Sequence, residues 1–104
     1  MTDVFTLLAH AGRAPDDGLP EGATGAALLL YVAAKDEAEA AREAAKTLQE
    51  AGLAVLELEG HGALAERQAA GEEIGEEEIL LMERARAENA VIVAALEALY
   101  GEEA

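Results

Sequence analysis

His61, in the stretch EGHG, is the first residue that chemistry could use. A histidine between glycines, just past an expected strand end, can turn into a cleft and serve as a general base or a metal ligand. His10 closes another apolar stretch. If the two rings met beside Glu59 or Asp17, they would form the two-histidine, one-carboxylate set that suits a transition metal. Arg13 adds a guanidinium and Tyr31 a phenol. Arg13, Tyr31 and His61 are therefore the candidate ligand-binding residues, and His10 and His61 the candidate catalytic or metal-ligating ones. Nothing in the spacing brings His10 to His61, so an ordinary loop histidine is the simpler reading of His61.

Other patterns remove whole classes of reaction. The chain has no cysteine, which excludes disulfides, thiolate metal sites and a cysteine nucleophile, and no serine, which excludes a serine nucleophile. Thr2 would be exposed by removal of the initiator methionine, but it precedes a strand and has no activating group beside it. GATGAALLL lacks the lysine and the hydroxyl residue after it that end a phosphate loop, and its glycines precede a strand rather than a helix. The run Glu72, Glu73, Glu76, Glu77 and Glu78 lacks the ligand order of a calcium loop and reads as the acidic start of a helix. No cofactor is expected.

Charge narrows the partners. With 22 acids against 7 bases and a net charge of −15, the chain repels a phosphate backbone, so nucleic acid is not an expected ligand. Solubility is the plain reading of that charge, and a basic protein surface is the partner it would fit. The opening MTDVFTLLAH has an early acid and no basic region, and no apolar run reaches the roughly 20 residues of a membrane span. The expectation is a cytoplasmic protein without membrane contact. Enrichment in alanine, glutamate and glycine matches a GC-rich bacterial genome.

The elements that must position these residues follow from periodicity. Residues 4–10, VFTLLAH, read as a strand, and residues 11–25, rich in glycine and proline with the turn PDDG, as a long loop. Residues 26–34 are apolar on both sides, the mark of a strand covered on both faces. A helix then begins at an Asp36 cap with Glu39 three positions on, and stops at Gly52. Its expected buried face is Ala38, Ala41, Ala44, Ala45, Leu48 and Ala51. Residues 53–59 alternate as a half-buried strand, with Ala54, Leu56 and Leu58 on one side. The pair of strands around the helix reads as a parallel crossover unit. A glycine-rich acidic connection, 60–75, holds a short helical segment at 63–70, and a second helix begins near 76.

Residues 90–98 admit two readings. A helix continued from 76 to 100 would carry a seam of Met82, Ala85, Asn89, Ile92, Leu96 and Leu99, ended by Gly101, and would assemble as a coiled coil. Against it stand Asn89, a natural stop, and the β-branched triplet Val91, Ile92 and Val93, so a strand is preferred. The 104 residues then form one α+β domain in the order β-β-α-β-α-β, a ferredoxin-like two-layer sandwich with both helices on one face of a four-stranded sheet. The other face needs a cover, and a second copy supplies it most simply, through Leu28, Leu29, Leu30, Tyr31 and Val32. The function expected is a non-enzymatic, homodimeric interaction module. The alternative is a small-molecule binder or small enzyme of the dimeric α+β barrel type with a pocket near His61.

Overall fold

The computed structural model describes residues 2–13 and 18–100. The expected PDDG turn apart from Gly18, the carboxylate of Asp17 and the terminator Gly101 lie outside those residues. The elements are β1 (Asp3–Gly12), β2 (Ala23–Ala34), α1 (Glu37–Glu50), β3 (Ala54–Ala63), α2 (Leu64–Ala69), α3 (Glu76–Glu88) and β4 (Val91–Tyr100). Together they make a small α+β domain with one antiparallel sheet in the order β3-β1-β2-β4.

β1 and β2 form a long hairpin whose register runs from Asp3 opposite Ala34 to Gly12 opposite Gly25. Gly25 is required there by close approach: a Cβ at this position would run into the Ala11 carbonyl. β2 and β3 run in the same direction, as the crossover reading requires, but β1 lies between them and pairs antiparallel with both. The two strands are therefore not neighbours. The expected ferredoxin-like order is not confirmed by this β3-β1-β2-β4 arrangement.

The helices do not share a face. Phe5, Leu7, Ala9 and Ala11 of β1, with Leu28, Leu30 and Val32 of β2, pack against Ala40, Ala44 and Leu48 of α1. The alternate residues Val4 and Tyr31 pack on the opposite side against Leu64 of α2 and Met82 and Ala85 of α3. The sandwich with both helices on one face is thus corrected to a sheet with helices on both. This also explains why residues 26–34 are apolar on both sides, since the same chain covers both. Each large core side chain taken from water contributes about 1.5–3 kcal/mol.

Local chemistry sets the boundaries. The Asp36 side chain accepts from the Glu39 N–H at 2.8 Å, and the Glu39 carboxylate reaches back to the Lys35 N–H at 2.8 Å, so α1 starts where the capping pattern placed it. Its buried row is Ala40, Ala44 and Leu48, with Ala38 and Ala51 exposed, a face rotated from the expected one by the contacts α1 makes with β3. In β3 the expected alternation fails at Leu56. The register with β1 shifts between His10 and Ala11, Val55 and Leu58 turn to the core, and Leu56 is left 63 % exposed. Asn89 adopts a left-handed conformation, φ 52 and ψ 51, ending α3 and releasing Val91 into β4. The strand reading of the C-terminal segment holds, and the continuous helix does not form.

Candidate functional site

The α3 side of the sheet is only half covered. α2 and α3 close over Val4, Thr6, Tyr31 and Ile92. Beyond them the register continues through Leu8, Leu29 and Ala95, then through His10, Ala27 and Glu97. Glu59 stands opposite Leu8, and Glu57 opposite His10. Leu8 is 40 % exposed and Leu29 half-buried, so a shallow apolar trough of about 200 Å³ opens between β1, β2 and β4. Glu97 lines it, and Glu59 and Glu57 stand in register beside Leu8 and His10 on the β3 side.

Leu8 and Leu29 also line a cleft of about 260 Å³ under the α2–α3 connection, with Thr6, His61, Arg67, Glu72 and Glu78. Gly62 at φ +97 and Gly71 at φ +85 fold the chain on either side of α2, and the Ala63 N–H donates to the Glu66 carboxylate at 3.0 Å, capping this short helix. Arg67 is thereby held over the sheet. Its Nη1 donates to the Thr6 hydroxyl at 2.8 Å, and its Nε to the Glu72 carboxylate at 3.0 Å. Thr6 is a buried polar side chain, 5 % exposed, and the guanidinium satisfies it. From the other wall, the Tyr31 hydroxyl donates to Glu78 Oε1 at 3.0 Å. Burial, then the bond to Glu78 and its charge, push the Tyr31 phenol up to about 12, with Arg67 pulling weakly the other way. Tyr31 is a neutral donor throughout the physiological range.

The residues singled out by sequence separate into two groups. His61 lines the cleft at its mouth, whereas Tyr31, 1 % exposed, lies beneath α3 and reaches the cleft only through its bond to Glu78. His61 lies within β3 rather than in a loop beyond it, because the strand continues through EGHGA. Its Nε2 is 3.9 Å from the Glu59 carboxylate, too long for the hydrogen bond that would orient a catalytic imidazole. His10 is opposite Glu57, while His61 falls between the pairs Leu7–Gly60 and Phe5–Ala63. The two rings are thus separated by roughly 13 Å of strand, at about 3.3 Å per residue. Among the described residues no group of three His, Cys, Asp or Glu side chains gathers for a metal, so the two-histidine, one-carboxylate set is not assembled. The Arg13 guanidinium donates to the Pro20 and Ala23 carbonyls at 3.0 and 2.7 Å and binds its own loop to the start of β2. Leu28, Leu30 and Val32 lie under α1 and Tyr31 under α3, so of the five side chains expected at a dimer interface only Leu29 retains open surface.

Thr6, Arg67, Glu72 and Glu78 were not foreseen. The available signal was Thr6, a lone hydroxyl in an apolar strand, which demands a partner when buried. The acidic run hid Glu78, which leaves the helix-start cluster to bond Tyr31. The arrangement fixes α2 and α3 to the sheet and presents hydrogen-bonding walls to the cleft.

A family model described as Domain of unknown function (DUF8846) matches residues 4–100, from the second residue of β1 to the end of β4. The chain belongs to that family. No curated protein and no solved structure matches it. The matched span of this DUF8846 domain includes all four strands, the trough and the cleft. Among the described residues, no helix of the domain is long and apolar enough to cross a membrane.

Proposed function

We propose that this DUF8846 domain is a cytoplasmic, non-enzymatic, homodimeric interaction module that receives a partner on the open half of its α3-side sheet face. The observation that carries the reading is the trough: Leu8, Leu29 and Ala95 uncovered beside Glu57, Glu59 and Glu97. A contiguous apolar patch rimmed by charge is the form a binding surface takes. The carboxylates favour a partner with lysine or arginine around an apolar centre and speed its approach. Tyr31 and Arg67 are already bonded within the chain, which suits orientation rather than reaction.

Titrating the isotope-labelled domain with a short peptide of leucine and lysine tests this. Amide shifts should concentrate at Leu8, Ala27, Leu29 and Ala95, weaken with salt, and vanish in Leu8→Asp. Shifts that avoid these residues, or that persist in Leu8→Asp, would refute the reading.

A second reading is a small-molecule site in the cleft, supported by the convergence of Thr6, Arg67, Glu72 and Glu78 beside His61. It calls for a neutral ligand able to accept from Arg67 and donate to Glu78. In a thermal-shift screen such a ligand should raise Tm in the wild type and not in Arg67→Met or His61→Ala. A hit indifferent to both substitutions would dismiss the cleft.

A further inference from the structure

β4 has the composition of an interior strand and the position of an edge strand. From Asn89 to Leu96 the chain carries no charge, and along Val91–Tyr100 only Glu97 is ionised. The two central strands show the same habit: no Asp, Glu, Lys or Arg occurs from Val4 to Gly12 or from Ala23 to Ala34. Strands apolar on both faces are normally flanked on both sides. Yet β4 pairs only with β2, and among the described residues nothing pairs with its outer side. Val93 is 44 % exposed and Leu96 50 % exposed, both beyond the reach of α1, which lies mainly over β3 and β2.

The opposite edge is guarded. β3 carries Glu57 and Glu59, charges that discourage edge pairing. β4 has no lysine, proline or glycine. We infer that β4 is the interface between two copies of this chain, which pair antiparallel along it to give a continuous eight-stranded sheet in the order 3-1-2-4-4-2-1-3. The inference rests on the homodimer proposed above and supplies its contact surface. A second copy fits better than a basic partner because this edge is the uncharged part of a chain of net charge −15, where two like-charged copies repel least. It is also self-complementary. With Ala95 opposite its own copy, Glu97 faces Val93; with Leu96 on the axis, Glu97 faces Ala95, and in neither case does a carboxylate face another. The bulge at Ala94 is carried equally by both copies. Because β3 is guarded, pairing closes at two copies rather than continuing as a filament. The contact of a single strand edge lies near the lower limit of stable interfaces, so dissociation should be measurable at micromolar concentration.

The test uses the full chain and its lack of cysteine. Sedimentation equilibrium should give twice the 10.8 kDa chain mass at high micromolar concentration, and the chain mass in Val93→Lys/Leu96→Lys with an unchanged far-ultraviolet spectrum. Opposed residues of an antiparallel pair have Cβ atoms about 4.5–5.5 Å apart. One of the single variants Ala95→Cys and Leu96→Cys should therefore oxidise to a covalent dimer, and Leu56→Cys on the other edge should not. A dimer that survives the double lysine substitution, or cross-links no better at 95 and 96 than at 56, would overturn the β4 interface and leave the homodimer standing. A wild-type chain that stays monomeric at the highest concentration would overturn both.

Discussion

Tyr31 shows how one buried polar atom ties the outer layer to the sheet. Its phenol is held by Glu78 from the first turn of α3, so Tyr31→Phe should leave the packing intact and cost about 1.5–3 kcal/mol in urea unfolding, the scale of a bond to a charged acceptor. The folded phenol keeps its proton to about pH 12, against the ordinary 10.0 in the unfolded chain. Between those values the folded state binds more protons, so stability present below pH 10 should fall as pH rises toward 12. Chemical denaturation across that window should show a steeper loss for the wild type than for Tyr31→Phe, and parallel curves would contradict the assignment. Gly25 makes the companion case. Gly25→Ala drives a methyl into the Ala11 carbonyl and should destabilise by about 1–3 kcal/mol, whereas Gly60→Ala meets only the movable Glu37 carboxylate and should cost less.

At the scale of elements, the decisive position is Asn89. Asparagine tolerates the left-handed conformation that ends α3, and a β-branched residue does not. Asn89→Gly should be within a few tenths of a kcal/mol of wild type, and Asn89→Val should lose about 1–2 kcal/mol of thermal stability. Equal stability of the two variants would remove Asn89 as the stop. Much at this scale was legible in the sequence, because it is written in local chemistry: the Asp36–Glu39 cap, Gly52 at φ +89, the β-branched triplet after Asn89. What was not legible is non-local. Periodicity shows that β2 is apolar on both faces, but not that α1 takes one and α3 the other. The alternation of residues 53–59 gave no warning of the register shift that expels Leu56. The cleft was half legible for the same reason. Tyr31 and His61 are visible as types, while Arg67 meets Thr6 across 61 positions of chain and Glu78 meets Tyr31 across 47.

The whole molecule presents two unlike surfaces. The trough is apolar with an acidic rim, suited to a basic partner, and β4 is an uncharged edge, suited to a like copy. Pairing along β4 would bring the troughs of the two copies, each bounded by Ala95 and Glu97, side by side on one sheet face. Dimer formation should accordingly strengthen with salt, which screens the repulsion between two chains of charge −15, whereas binding of a lysine-bearing peptide to the trough should weaken. Opposite salt responses in sedimentation and in peptide titration would separate the two surfaces. A common response would show that one surface performs both roles. The most direct measurement is amide hydrogen exchange along β3 and β4 at low and high protein concentration. The outward amides of β4 should gain protection as concentration rises while those of β3 do not, and β4 amides that exchange like those of β3 at both concentrations would contradict the account.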